Sequence, residues 1–164
     1  MKKFLYSPWR LKYILSNKDK KCILCLNPSE KDDDHLILFR SKYSFVMMNL
    51  YPYNNGHLMV VPNNHIPFLN KLSKEELNDL FETVQLCEKV LQKKYNPDGF
   101  NIGLNLGKSA GAGIDEHLHV HIVPRWAGDV NFMTSIGGTR VIPENFETAF
   151  KQLKEQFDNE RAQK

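Results

Sequence analysis

Hydrophobic and polar positions along the chain switch between two periods. From Leu36 the apolar residues come in short, β-rich stretches: "LILFR" over 36–40, "YSFVMMNL" over 43–50 and "HLMVVP" over 57–62. Each reads as a strand, in which neighbouring side chains leave on opposite faces. The first two are expected to form a hairpin. "YPYNNG" (51–56) is a turn, with Asn55-Gly56 its strongest signal. The period then lengthens to that of a helix. Ser73 and Glu76 make a capping box before a helix to about Tyr95, whose expected buried face is Leu77, Leu80, Phe81, Val84, Cys87 and Leu91. "NPDG" (96–99) stops it. "FNIGLNLG" (100–107) reads as a strand, a Gly-rich loop follows, and "HLHVHIV" (117–123) returns to strict alternation. A last helix begins near Pro143, with Phe146, Ala149, Phe150, Leu153 and Phe157 on one face. Near the start, Ser7 and Pro8 suggest the cap and first position of a short helix with "WRLKYIL", and residues 16–34 are expected to be a charged, turn-rich loop. Antiparallel succession of strands with few helices predicts an α+β fold over a doubly wound parallel one.

Length and composition narrow the class. A chain of 164 residues, 41% hydrophobic and 25% charged, is expected to be one domain over 1–164 with its core at about 36–150. The net charge of +3 would suit an anionic small molecule. The basic residues form no stripe, so no specific nucleic-acid partner is expected. The opening "MKKFLYSPWR" has the lysines of a signal peptide, but Ser7, Pro8 and Arg10 break its apolar stretch. No run is long enough to span a membrane, so no membrane partner is expected. Three cysteines are an odd number, which favours a reducing, cytoplasmic location. Cys87 falls on the apolar face of the long helix and reads as core.

The chemistry concentrates in one stretch. Three of the six histidines, His117, His119 and His121, alternate with Leu118, Val120 and Ile122. The aliphatic residues face a core, and the imidazoles share the other face, about 7 Å apart between neighbours. A solvated strand face is usually built from Thr, Lys or Glu. Imidazoles serve as nucleophiles, proton carriers or metal ligands. The first and third lie roughly 13 Å apart, too far to converge on one ion. "GLNLGKS" (103–109) nearly spells a P-loop, but only three residues separate its glycines and a strand follows where a helix is needed. Gly107, Gly111 and Gly113 can still expose backbone N–H groups to an anion, directly before the histidines.

"HLHVHIV" fits the His-φ-His-φ-His-φ-φ signature and resembles the histidine triad (HIT) family of nucleotide-binding proteins. "NLYPYNNGHLMVVP" is similar to the family's earlier segment. "GFNIGLNLGKSAGAGIDEHLHVHIVPRWAGDVNFM", "GGTRVIPE" and "SPWRLKYI" resemble the bacterial branch that includes diadenosine tetraphosphate phosphorylases. The resemblance implies a five-stranded antiparallel sheet with two main helices, paired into a homodimer. It implies that the middle histidine, His119, attacks the α-phosphorus of a nucleotide and forms a nucleotidyl-histidine. His117 and His121 would bind phosphate or orient the nucleophile. Asn49 would hold the ribose, Asn105 would contact phosphate or ribose, and Gly111 and Gly113 would line the phosphate loop. Trp126 would be an aromatic neighbour of the site.

Cys22-x-x-Cys25 is half of a tetrahedral zinc site. Some family members complete it with a histidine after the central strand and with the first triad histidine, which here implies His65 and His117. Two reduced thiols in a loop and a redox CxxC are the other readings, and no thioredoxin-like βαβ unit surrounds the pair. The expected cofactor is a structural Zn2+, and a divalent cation could accompany a polyphosphate substrate.

The leading functional expectation is cleavage of a dinucleoside polyphosphate, diadenosine tetraphosphate, by phosphorolysis or hydrolysis. Adenine nucleotide and inorganic phosphate are the corresponding partners. The alternatives are a Hint-like nucleoside phosphoramidase or adenylyl hydrolase, and a nucleotide-binding regulatory module without catalysis.

Overall fold

A computed structural model describes residues 22–26, 31–139, 142 and 144–162. In it the β-rich stretches assemble into one five-stranded antiparallel sheet. The strands are β1 (Ile37–Arg40), β2 (Ser44–Met48), β3 (Leu58–Pro62), β4 (Gly99–Gly103) and β5 (Val120–Arg125), in the order β1-β2-β3-β5-β4. The helices are α1 (Lys74–Tyr95), a short α2 (Phe132–Ser135) and α3 (Phe146–Ala162). The α+β expectation holds. The expected helix over "WRLKYIL", most of the 16–34 loop and Pro143 lie outside the described residues.

Alternation gives the sheet two different faces. On one, Val46, Met48, Leu58, Val60, Leu118, Val120 and Ile122 are buried beneath α1 and α3. On the other, Ile37, Phe45, Met59 and Val61 are covered by Leu24, from the short segment between Cys22 and Cys25. The register lines up Ile37, Met47, Met59, His121 and Gly103 across all five strands. One row therefore carries apolar side chains into a histidine.

The α1 capping box forms as read, with Ser73 Oγ accepting from Glu76 N–H. Its buried face, however, is rotated. Leu80, Val84, Cys87 and Leu91 are buried as expected, but Thr83 and Val90 join them while Leu77 and Phe81 are exposed. Polar contacts to the β1–β2 hairpin explain the rotation. Asp79 accepts from Ser41 Oγ at 2.6 Å and Ser44 Oγ at 2.8 Å, and Ser44 Oγ reaches Thr83 Oγ1 at 3.2 Å. Satisfying that buried serine brings the Asp79–Thr83 flank inward. In α3, Leu153 and Phe157 are buried and Phe157 stacks on Phe39 at 5.9 Å. Buried Glu160 is neutralised by Lys89 at 2.5 Å and by Lys93.

β4 ends at Gly103, short of the expected Gly107. Ahead of β5 the chain bonds elsewhere: Leu118 N–H donates to Ile66 O at 2.6 Å, in the loop after β3. Residues beyond Gly103 have no ladder partner and open into the Gly-rich loop.

Gly56 fixes the entry to β3. Its φ is +67°, and an added Cβ would sit 2.7 Å from Tyr95 Cε2. Gly56→Ala should lower stability by about 1–2 kcal/mol from the backbone conformation alone, more if Tyr95 cannot move. Thermal unfolding checks this: an unchanged midpoint would contradict it.

Candidate functional site

The histidine rings near β5 are tied to backbone groups, directly or, for His121, through the His57 ring, and those ties set their tautomers. His119 Nδ1–H donates to the carbonyl oxygen of His117 at 2.8 Å. A carbonyl only accepts, so the Nε2 of neutral His119 carries the lone pair. His117 Nε2–H donates to Pro62 O at 2.9 Å, leaving its Nδ1 bare. The third tie comes through His57, at the start of β3. Tyr53 N–H donates to His57 Nδ1 at 3.0 Å, so that nitrogen is bare and the ring proton sits on Nε2. His57 Nε2–H then donates to His121 Nδ1 at 3.0 Å, which puts the proton of neutral His121 on Nε2. Asn49 Nδ2 is 3.4 Å from His57 Nε2 and its Oδ1 accepts from Tyr51 N–H at 2.8 Å.

The rings form one cluster. His57 and His121 centroids are 5.1 Å apart, His119 and His121 4.8 Å, and Tyr53 tilts over His57 at 4.6 Å. His57 is a site residue that the triad pattern does not contain. Its sequence signal was a histidine opening an otherwise apolar strand directly after the Asn55-Gly56 turn.

His119 and His121 line a cavity of about 670 Å³. Asn49, Asn105, Gly111 and Gly113, all expected at the site, also line it. Ile23, Leu24, Leu36, Met47, Met59 and Ile114 give it an apolar part. Gly111 has φ +89°, in the left-handed region that the loop needs to turn beside the cavity. Trp126 does not line it. Its ring packs edge-on against Tyr95 at 6.4 Å.

His117 faces away from the cavity, toward the thiols. Its Nδ1 lies 3.5 Å from Cys22 Sγ and 3.6 Å from Cys25 Sγ, and Cys25 Sγ lies 3.2 Å from His65 Nδ1. The four ligand atoms all fall within 4.8 Å of one another. Bonds of about 2.3 Å to sulfur and 2.0 Å to nitrogen, at tetrahedral angles, set neighbouring ligand atoms roughly 3.3–3.8 Å apart. The Cys22, Cys25, His65 and His117 set therefore fits a metal ion. The Pro62 carbonyl already turns the bare His117 nitrogen toward it.

Burial governs the charge of these rings. Desolvation, reinforced by His121 and then His119, pushes His57 down to about 3. Desolvation, reinforced by His119, pushes His121 down to about 4. Both are neutral in the folded protein near pH 7, while an unfolded histidine titrates near 6.5. Above pH 6.5 neither ring distinguishes the two states. Below it the unfolded chain takes up protons that the folded rings refuse. Stability should therefore fall as pH drops from 6.5 toward 4, by about 1.4 kcal/mol per pH unit for each ring. Urea unfolding between pH 7 and 5.5 should show this slope, and His57→Gln should reduce it. A slope unaffected by that substitution would refute the reading.

Comparison with known proteins places this arrangement. The HIT domain family model matches residues 30–128. Over 117 residues the chain is 49% identical to the AP-4-A phosphorylase of Mycobacterium tuberculosis, covering 71% of this chain and 60% of that protein. It is 38% identical over 93 residues to the asymmetrical bis(5'-nucleosyl)-tetraphosphatase of Schizosaccharomyces pombe, covering 57% of this chain and 50% of that one. The chain thus spans about half to three-fifths of these relatives' length. A crystal structure of a hypothetical histidine triad nucleotide-binding protein from Sulfolobus tokodaii superposes with a TM-score of 0.65 at 26% identity, covering 84% of this chain and 93% of that one. The strand expected from His117 begins only at Val120, so His121 lies on β5 while His117 and His119 lead into it; with most of its length matched by the family model, the chain belongs to the HIT family.

Proposed function

We propose that this chain is a nucleotidyl-transferring enzyme that cleaves dinucleoside polyphosphates, with diadenosine tetraphosphate as substrate and a nucleotidyl-histidine on His119. The observation that carries the reading is the bare Nε2 of His119, held by a backbone carbonyl beside a cavity of nucleotide size. The named activities of the two relatives above support the substrate class. The mildly basic net charge of +3 accords with an anionic ligand.

In the first step the lone pair of His119 Nε2 attacks the α-phosphorus. An N–P bond forms and the bond from that phosphorus to the bridging oxygen breaks, releasing ATP. His121 Nε2–H donates to a phosphoryl oxygen as charge builds there. Asn105 and the N–H groups of the loop carrying Gly111 and Gly113 bind the phosphates. Asn49 binds the ribose, and the apolar part of the cavity takes the base. In the second step an oxygen of inorganic phosphate attacks the same phosphorus, the N–P bond breaks, and ADP leaves. Water in place of phosphate would give AMP.

The Cys22, Cys25, His65 and His117 set is assigned to zinc on its two thiolates and two imidazoles. When bound, the ion supplies structural bracing and no reacting group. His117 would be held by that coordination while its carbonyl orients His119, which would make His117 a brace instead of a phosphate ligand. We further read the chain as one domain acting as a cytoplasmic homodimer, in keeping with three free thiols among the described residues. Among those residues, no helix is long and apolar enough to cross a membrane.

Incubation with diadenosine tetraphosphate, with and without inorganic phosphate, tests the reaction. ATP and ADP should appear only with phosphate, and His119→Ala should lose roughly a thousandfold or more in turnover. ATP and AMP without phosphate would mean hydrolysis. Near-normal turnover in the His119 variant would sink the mechanism. For the metal, purified protein should carry one zinc per chain, and Cys22→Ser should lose it. Wild-type protein prepared without chelators that holds no zinc would end that assignment.

A further inference from the structure

The turn that sets the His57 tautomer is itself held from outside the cavity. Asn54 is 7% exposed, and its Nδ2 donates to Pro124 O on β5 at 3.0 Å and to Asp129 Oδ2 at 2.8 Å. The same carboxylate oxygen accepts from Arg125 Nε at 2.7 Å and from Trp126 N–H at 3.2 Å. Burial alone would raise the Asp129 carboxyl, but its donors Arg125, Asn54 and Trp126 together hold it below the ordinary carboxylate range. It is therefore an ionised acceptor at the centre of three donors. On the turn, the Asn54 carbonyl accepts from His57 N–H at 3.3 Å, and Tyr53 N–H reaches His57 Nδ1. Asp129 does not line the cavity.

We propose that Asp129 is a positioning residue of this site: through Asn54 it clamps the 51–55 turn to β5, which keeps Tyr53 N–H on His57 Nδ1 and so places the ring protons of His57 and His121. The reasoning is one of obligate donors and acceptors. The Tyr53 N–H can only donate, so while the turn is clamped one His57 tautomer is permitted. His57 Nε2–H can then only meet a bare nitrogen, and His121 is fixed in turn. With the turn released, either proton placement becomes available to both rings, and His121 presents a donor beside His119 only part of the time. The consequence for turnover rests on the reading of His119 as nucleophile, whereas the tautomer consequence does not.

Nitrogen-15 NMR of the histidine rings at neutral pH tests this without substrate. Wild type should show a bare Nδ1 and a protonated Nε2 in both His57 and His121. Asp129→Ala should average the two nitrogens of each ring, and Asp129→Asn, which retains an oxygen acceptor for Asn54, should restore the wild-type pattern. A role in stability alone would lower the melting temperature and leave the ring nitrogens of the folded protein unchanged, and that result would overturn the proposal. Should Asp129→Ala not fold, Asp129→Ser, whose shorter side chain gives up the Asn54 contact while Asn54 keeps Pro124 O, decides by the same spectrum. In turnover, Asp129→Ala should lose roughly ten- to a hundredfold in kcat with KM little changed. Inactive wild-type protein would refute the functional reading but leave the spectrum to judge Asp129.

Discussion

The hydrogen bond from His119 Nδ1–H to the His117 carbonyl, 2.8 Å long, joins two residues only two positions apart. Such a bond has the right direction only if the backbone from 117 to 119, which bends at His117 just ahead of β5, is held in place. The fixing is hydrophobic. Leu118, Val120 and Ile122 are buried under the helices, so the strand cannot roll without exposing them. The opposite side of the same backbone is thereby held still, and a ring on it keeps one tautomer at the cavity. The rest of the site follows the same rule: His117 is tied to Pro62, and His57 to Tyr53. Backbone groups cannot change their donor or acceptor character, so they make reliable partners for imidazole.

The two faces of the sheet are closed by different means. One lies beneath two helices, while the other is covered in part by Leu24, between two cysteines. Ile23 and Leu24 also line the cavity. A metal held by Cys22, Cys25, His65 and His117 would thus pin a piece of cavity wall and the residue whose carbonyl orients His119. Bracing and binding meet in one short segment because Leu24, between the two cysteines, packs on that face and also lines the cavity.

Much of this was written in local pattern. The strands, the capping box of α1, the apolar line of α3 and the nearness of Gly111 and Gly113 to His119 and His121 follow from period, turn chemistry and the triad motif, while Asn49 and Asn105 were placed at the site by the family resemblance. The misreadings have particular causes. Leu77 and Phe81 fit the helical stripe, but Ser44 needed Asp79 and Thr83, and that cross-element bond turned the helix. Trp126 stands close in sequence to the triad, yet it packs on Tyr95 of α1. His57 lies 64 residues from His121, and no local pattern joins them.

By itself, then, the sequence determined the class of fold, the alternation of the triad with core aliphatics, and the Cys22-x-x-Cys25 half of a candidate metal set, because period and residue chemistry are local properties. Only the tertiary structure decided which nitrogen of each ring is bare, which histidine turns from the cavity to the thiols, and how Asp129 reaches the site. Those depend on which backbone groups and side chains from distant segments come within about 3 Å, a matter of register and packing that no single stretch encodes.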